Sequence, residues 1–144
     1  MSTLIAAMLP DHVHHAYAMP WLAQAKADSF EFVCSGHSLA EIYAVLTRLK
    51  RTPPIRPAEA WDLIRENVTT HAQVKSLSGD EYALLIEELA RNGIMGAAVY
   101  DAVIARVAEL TATDLLVTLN VADFQRVWPA GAARIVFPQT HSPP

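Results

Sequence analysis

The sequence predicts an α/β fold, a mostly parallel sheet with helices on both faces. Short β-favouring runs (FEFVC at 30–34, LLVTL at 115–119 and RIVF at 134–137) are separated by longer segments of helical periodicity. Strands alternating with helices pair in parallel, because each crossover lays its helix on a sheet face. The stretch Gly96–Phe124 also opens as a helix apolar on nearly every face, through Ala97, Val99, Val103, Ile104, Val107 and Ala108. A helix of that kind packs on several sides at once.

The chain has 144 residues, enough for one domain with a real core. A hydrophobic content of 52% against 18% charged residues excludes a disordered chain. No apolar run approaches the roughly 20 residues of a membrane span. No basic region precedes an apolar core at the amino terminus, so no secretory signal is expected. The single cysteine, Cys34, excludes an internal disulfide and fits a cytoplasmic setting. A net charge of −4 argues against a broadly basic nucleic-acid clamp. It leaves room for a nuclease, because carboxylates that hold metal make the site itself acidic.

Residues 1–9 are mostly apolar and end at Pro10-Asp11. A helix is expected over 12–27, with Tyr17, Trp21 and Leu22 as core candidates and Pro20 as a kink or break. After the strand at 30–34, a helix over 38–49 places Leu39, Ile42, Tyr43, Leu46 and Leu49 at helical spacing. Thr52-Pro53-Pro54 is a loop, and Pro57 suits the first turn of the next helix, which carries Trp61, Leu63 and Ile64. A short strand is read at 73–77. Ser78-x-x-Glu81 is a capping box ahead of a helix over 82–91, and Asn92-Gly93 stops it. The apolar helix, the strand 115–119, a short helix near 123–127 and the last strand follow. Residues 1–138 read as one domain and 139–144 as a flexible tail.

Four polar positions carry the chemical argument. Glu41 lies early in the helix that follows the first strand. Asp101 sits among apolar neighbours, and Asn120 and Asp123 follow the strand 115–119. In a parallel sheet these positions share the edge at the carboxyl ends of the strands, where ligands bind. Converging carboxylates repel each other unless a cation neutralises them, and Mg²⁺ or Mn²⁺ prefers such oxygen ligands. Each position has a plainer alternative. Ser38-x-x-Glu41 is itself a capping box, Asn120 with Asp123 fits a helix cap, and Asp101 could pair with an arginine in an unrelated α/β domain. His12, His14 and His15 read as a solvated helix start, Cys34 as a buried small hydrophobe, and Arg48, Lys50 and Arg51 as a solvated helix end. No P-loop, GxGxxG or GxSxG motif is present.

Taken together these residues resemble the PIN-domain family of the VapC toxin type. SLAEIYAVLTRL resembles the helix bearing that family's second acidic residue, here Glu41. GIMGAAVYDAVIARVAEL resembles the helix bearing the third, here Asp101, while LLVTLNVADF and ARIVFP resemble the strand and turn that close the site and the final strand. The resemblance implies a three-layer α/β/α PIN-like fold and a Mg²⁺- or Mn²⁺-dependent endoribonuclease acting on RNA. It also implies a homodimer held in check by a small antitoxin protein. Glu41, Asp101 and Asp123 would be the catalytic and metal-binding residues, with Asn120, Thr118 and Ser2 supporting them. The rival is a non-catalytic PIN-like module that binds an antitoxin or RNA. One departure stands out. STLIAA aligns just after the family's first aspartate, so that aspartate and its central strand are expected before residue 1, with the natural start upstream. In the chain as given, residues 2–8 are expected to substitute as a strand or the dimer to compensate, and metal binding and cleavage are expected to be weak.

Overall fold

The computed structural model describes residues 1–144. Helices α1 (Ser2–Met8) and α2 (His15–Lys26) lead into strand β1 (Val33–Ser35) and helix α3 (Gly36–Arg48). Helix α4 (Pro57–Ile64) runs on through a π-turn at Arg65–Thr69 to strand β2 (Gln73–Lys75) and helix α5 (Gly79–Arg91). The organising helix is α6 (Ala98–Leu110); β3 (Leu116–Val117), α7 (Val121–Val127), a 3₁₀ turn at Pro129–Arg134 and β4 (Ile135–Val136) complete the chain. No helix is long and apolar enough to cross a membrane.

All strand pairing is parallel, as the alternation of elements requires. Val33 lies opposite Gln73 and Ser35 opposite Lys75 in one pair; Leu116 lies opposite Ile135 and Val117 opposite Val136 in the other. The pairs are not joined: β1–β2 and β3–β4 are separate two-stranded sheets. A largely apolar cavity of about 310 Å³ reaches both β1 and β3, bordered also by Leu4, Leu22 and Ile104, with Pro144 from the tail at its margin. With a partner on one edge only, each strand keeps its ladder for two or three residues, shorter than the predicted runs. The expectation that residues 2–8 substitute as a strand fails. They form α1, which buries Ile5, Ala6, Ala7 and Met8 against α2 and α3. Ala6, Ala7 and Met8 favour a helix while Thr3 and Ile5 favour a strand, so packing against α2 decides the outcome.

Apolar side chains gather in three clusters. The first joins α1, α2, α3 and α4 around Ile5, Leu22, Ile42, Leu46 and Ile64. The second sets Leu85 and Leu89 of α5 against Val103 and Val107 of α6. The third sets Ala105 and Ala108 of α6 against Leu116, Phe124, Trp128 and Ile135. Helix α6 thus supplies two clusters from two of its sides, which is why its sequence lacks a polar face. Other periodicity readings need correction. Tyr17 and Tyr43 are exposed at 39% and 41%, while Trp21 and Leu22 are buried. Helix α2 begins at His15, because turns occupy the residues before it, and it continues past Pro20 without a break.

Local signals explain the better-placed boundaries. Ser78 Oγ accepts from Glu81 N (3.2 Å) and Glu81 Oε2 accepts from Ser78 N (2.7 Å), so the capping box forms as predicted. Gly93 takes φ +67°, a left-handed conformation that ends α5 and that glycine adopts at little cost. At Gly131 a Cβ would lie 2.1 Å from the Trp128 ring. Gly131→Ala is therefore expected to lower stability by about 1–3 kcal/mol in urea unfolding. Gly79→Ala, where no atom stands within 4 Å of the added carbon, should change stability by less than about 0.5 kcal/mol. Equal effects at the two positions would contradict this packing.

Candidate metal centre

Three acids reach the same region from three helices. Ser35, the last residue of β1, is the N-cap of α3, and Glu41 projects from that helix half-buried. Ser38 is an interior helical residue, 2% exposed, so the capping-box reading of Ser38 and Glu41 is incorrect. Glu41 lies within ion-pair range of His37, one turn earlier, with Nε2 at 3.6 Å from Oε2. His37 Nε2 is buried with no hydrogen-bond partner, and its ring stacks on Tyr100 at 4.9 Å between centroids.

Asp101 lies in the first turn of α6, where the positive end of the helix dipole favours a carboxylate. It forms no ion pair with any arginine or lysine, which removes the structural alternative of an Asp–Arg pair. Its carboxyl pKa is raised, first by burial and then by the negative charges of Asp123 and Glu41; the Met1 ammonium and Arg126 oppose the rise. That ammonium is itself buried beside Cys34, Glu41 and Asp101, and burial lowers its pKa.

The third acid, Asp123, is exposed in the first turn of α7. Asn120 is the N-cap of α7, yet its side chain makes no capping bond. Hydroxyl groups fix the turn before it. Thr118 Oγ1 accepts from Asn120 N (3.0 Å), Ser2 Oγ accepts from Leu119 N (3.3 Å), and Thr3 Oγ1 donates to the Val117 carbonyl (3.2 Å). Thr118 and Ser2 therefore hold the backbone that aims Asn120 and Asp123. The structure contains no group of three or more His, Cys, Asp or Glu side chains gathered closely enough to enclose a metal ion. Glu41, Asp101 and Asp123 instead form an open set in which the charges of Glu41 and Asp123 act on Asp101.

The model of the PIN domain family matches residues 2–127. The chain belongs to the PIN-domain family. It is also 35% identical over 107 residues to a ribonuclease, VapC27, of Mycobacterium tuberculosis, covering 74% of this chain and 72% of that protein. This places it with the VapC type, on the α/β fold read from the element order.

An all-oxygen, mutually repelling acid set fits a hard divalent cation, which needs only one or two carboxylates with water completing its shell. Two neighbours of these acids belong to no sequence motif. His37 is four residues before Glu41 and Arg126 three after Asp123, spacings that put each on the same helix side as its acid. The histidines that did draw notice are structural: His15 Nδ1 lies 3.0 Å from the Ala6 carbonyl oxygen, and His14 packs edge-on against Phe137. Cys34 is buried, and burial pushes its thiol pKa up to about 11, so it is an inert core residue.

The raised pKa of Asp101 has a stability consequence. Its folded-state value lies above the unfolded one, so the folded chain binds the extra proton and ionisation costs stability as pH rises through the folded pKa. Asp101→Asn is expected to raise Tm at pH 7. The gain should vanish below about pH 4, where the carboxyl is protonated in both states. Thermal unfolding across pH measures this; an unchanged or lower Tm at pH 7 would contradict it.

Proposed function

We propose that this PIN-domain chain is a Mg²⁺- or Mn²⁺-dependent endoribonuclease of toxin–antitoxin type that hydrolyses RNA phosphodiester bonds. The observation that carries the reading is the approach of Asp101, Asp123 and Glu41 from three helices, in a chain that the PIN domain family model matches over residues 2–127. Acids held together against their own repulsion are what a cation site requires. The similarity to a VapC ribonuclease supports the same chemistry.

Asp101 and Glu41, on the packed helices α6 and α3, would hold the cation, and Asp123 on α7 would complete the set from the solvent side. A divalent ion there supplies Lewis-acid stabilisation of the phosphoryl charge and a more acidic water. Asn120, being neutral, orients water or phosphate without adding repulsion. Thr118 and Ser2 keep Asn120 and Asp123 in place through the turn they bond. In the net reaction a water oxygen attacks phosphorus, the bond to the leaving ribose oxygen breaks, and that oxygen takes up a proton. A small antitoxin protein and a second copy of the chain are the proposed partners.

The alternative is a PIN-like module that binds an antitoxin or RNA without cleaving it. Incubation of single-stranded RNA with the purified chain separates the two. The ribonuclease reading expects cleavage that needs Mg²⁺ or Mn²⁺, stops with EDTA, and falls about 100-fold or more in Asp101→Asn and Glu41→Gln. Thr118→Val should lose about 10- to 100-fold, as loss of a supporting contact does. RNA binding with no metal-dependent cleavage would favour the non-catalytic module.

A further inference from the structure

Helix α3 places the His37 ring beside Glu41, with Nε2 3.6 Å from Oε2, and helix α6 lays the Tyr100 ring on His37. The rings meet face to face, with centroids 4.9 Å apart and planes inclined by 15°. The stack has an inner and an outer member: the His37 side chain is 21% exposed and Tyr100 is 47% exposed. The imidazole covers one face of the phenol ring, while Tyr100 as a residue remains about half exposed, joined to the acid set through His37.

Charge alone cannot draw RNA to this place. The chain carries a net charge of −4, and the site is built from carboxylates that repel phosphate. Binding there needs a contribution indifferent to charge, and base stacking on an aromatic side chain is one. We propose that Tyr100, backed by His37, is the stacking platform for an unpaired nucleobase flanking the scissile phosphate. A base inside a duplex has its faces covered by neighbours and cannot reach Tyr100; an unpaired base can. The inference rests on the ribonuclease reading and adds a residue that recognises the substrate's base.

The test uses a short single-stranded oligoribonucleotide of mixed sequence carrying 2-aminopurine, with Ca²⁺ replacing Mg²⁺ to prevent cleavage. Wild type and Tyr100→Phe should bind alike and quench the 2-aminopurine emission. Tyr100→Leu keeps the bulk but not the π face; it should bind about tenfold more weakly and leave the emission unquenched. With Mg²⁺ its loss should appear in KM rather than kcat, and a duplex of equal length should compete poorly. Unchanged affinity and quenching in Tyr100→Leu would overturn the platform. If Asp101→Asn still abolishes cleavage in that case, the ribonuclease reading survives alone. Failure of the wild type to bind the oligonucleotide would overturn both.

Discussion

Helix α6 must be packed on two sides and yet carry an acid at its start. Val103 and Val107 face α5, while Ala105 and Ala108 face the strands and α7. Fully burying such side chains is worth roughly 1.5–3 kcal/mol for each valine, so the helix has little freedom to rotate or slide. Asp101 is carried with it. Its carboxylate is fixed where burial and two other acids disfavour its charge. Packing, and no partner side chain, holds the repulsion in place.

The rest of the site follows from what α6 touches. Helix α3 packs on it, bringing Glu41 and the His37–Tyr100 stack to the start of α6. Helix α7 packs on its other side and brings Asp123, through a turn fixed by three hydroxyl contacts from Ser2, Thr3 and Thr118. Those contacts explain small polar residues at 2, 3 and 118 in otherwise apolar surroundings. The site is therefore rigid at Asp101 and progressively more open toward Asp123, which suits a cation that keeps several waters and a substrate that arrives from solvent.

Much of this was legible in the residues because the signals are local. The capping box at Ser78, the stop at Gly93, the proline at position 57 and the all-round apolar pattern of α6 each express a short-range rule. The parallel pairing followed from the alternation of strands and helices. The illegible parts depend on long-range geometry. Ser38 and Glu41 have capping-box spacing, but β1 hands over to α3 at Ser35, and no local signal fixes that join. Residues 2–8 are apolar in a way that suits strand and helix alike; packing against α2 chose the helix. The division of the sheet into two pairs, and the pairing of His37 with Tyr100 across two helices, depend on tertiary placement that no periodicity encodes.

If Glu41, Asp101 and Asp123 act on one divalent cation, Mn²⁺ binding followed by electron paramagnetic resonance will show it, because it counts bound ions without requiring turnover. One Mn²⁺ per chain is expected in the wild type, with affinity strongly reduced in Asp101→Asn and Glu41→Gln and more mildly in Asp123→Asn, the exposed member. Binding that is absent in the wild type, or unchanged by all three substitutions, would contradict it.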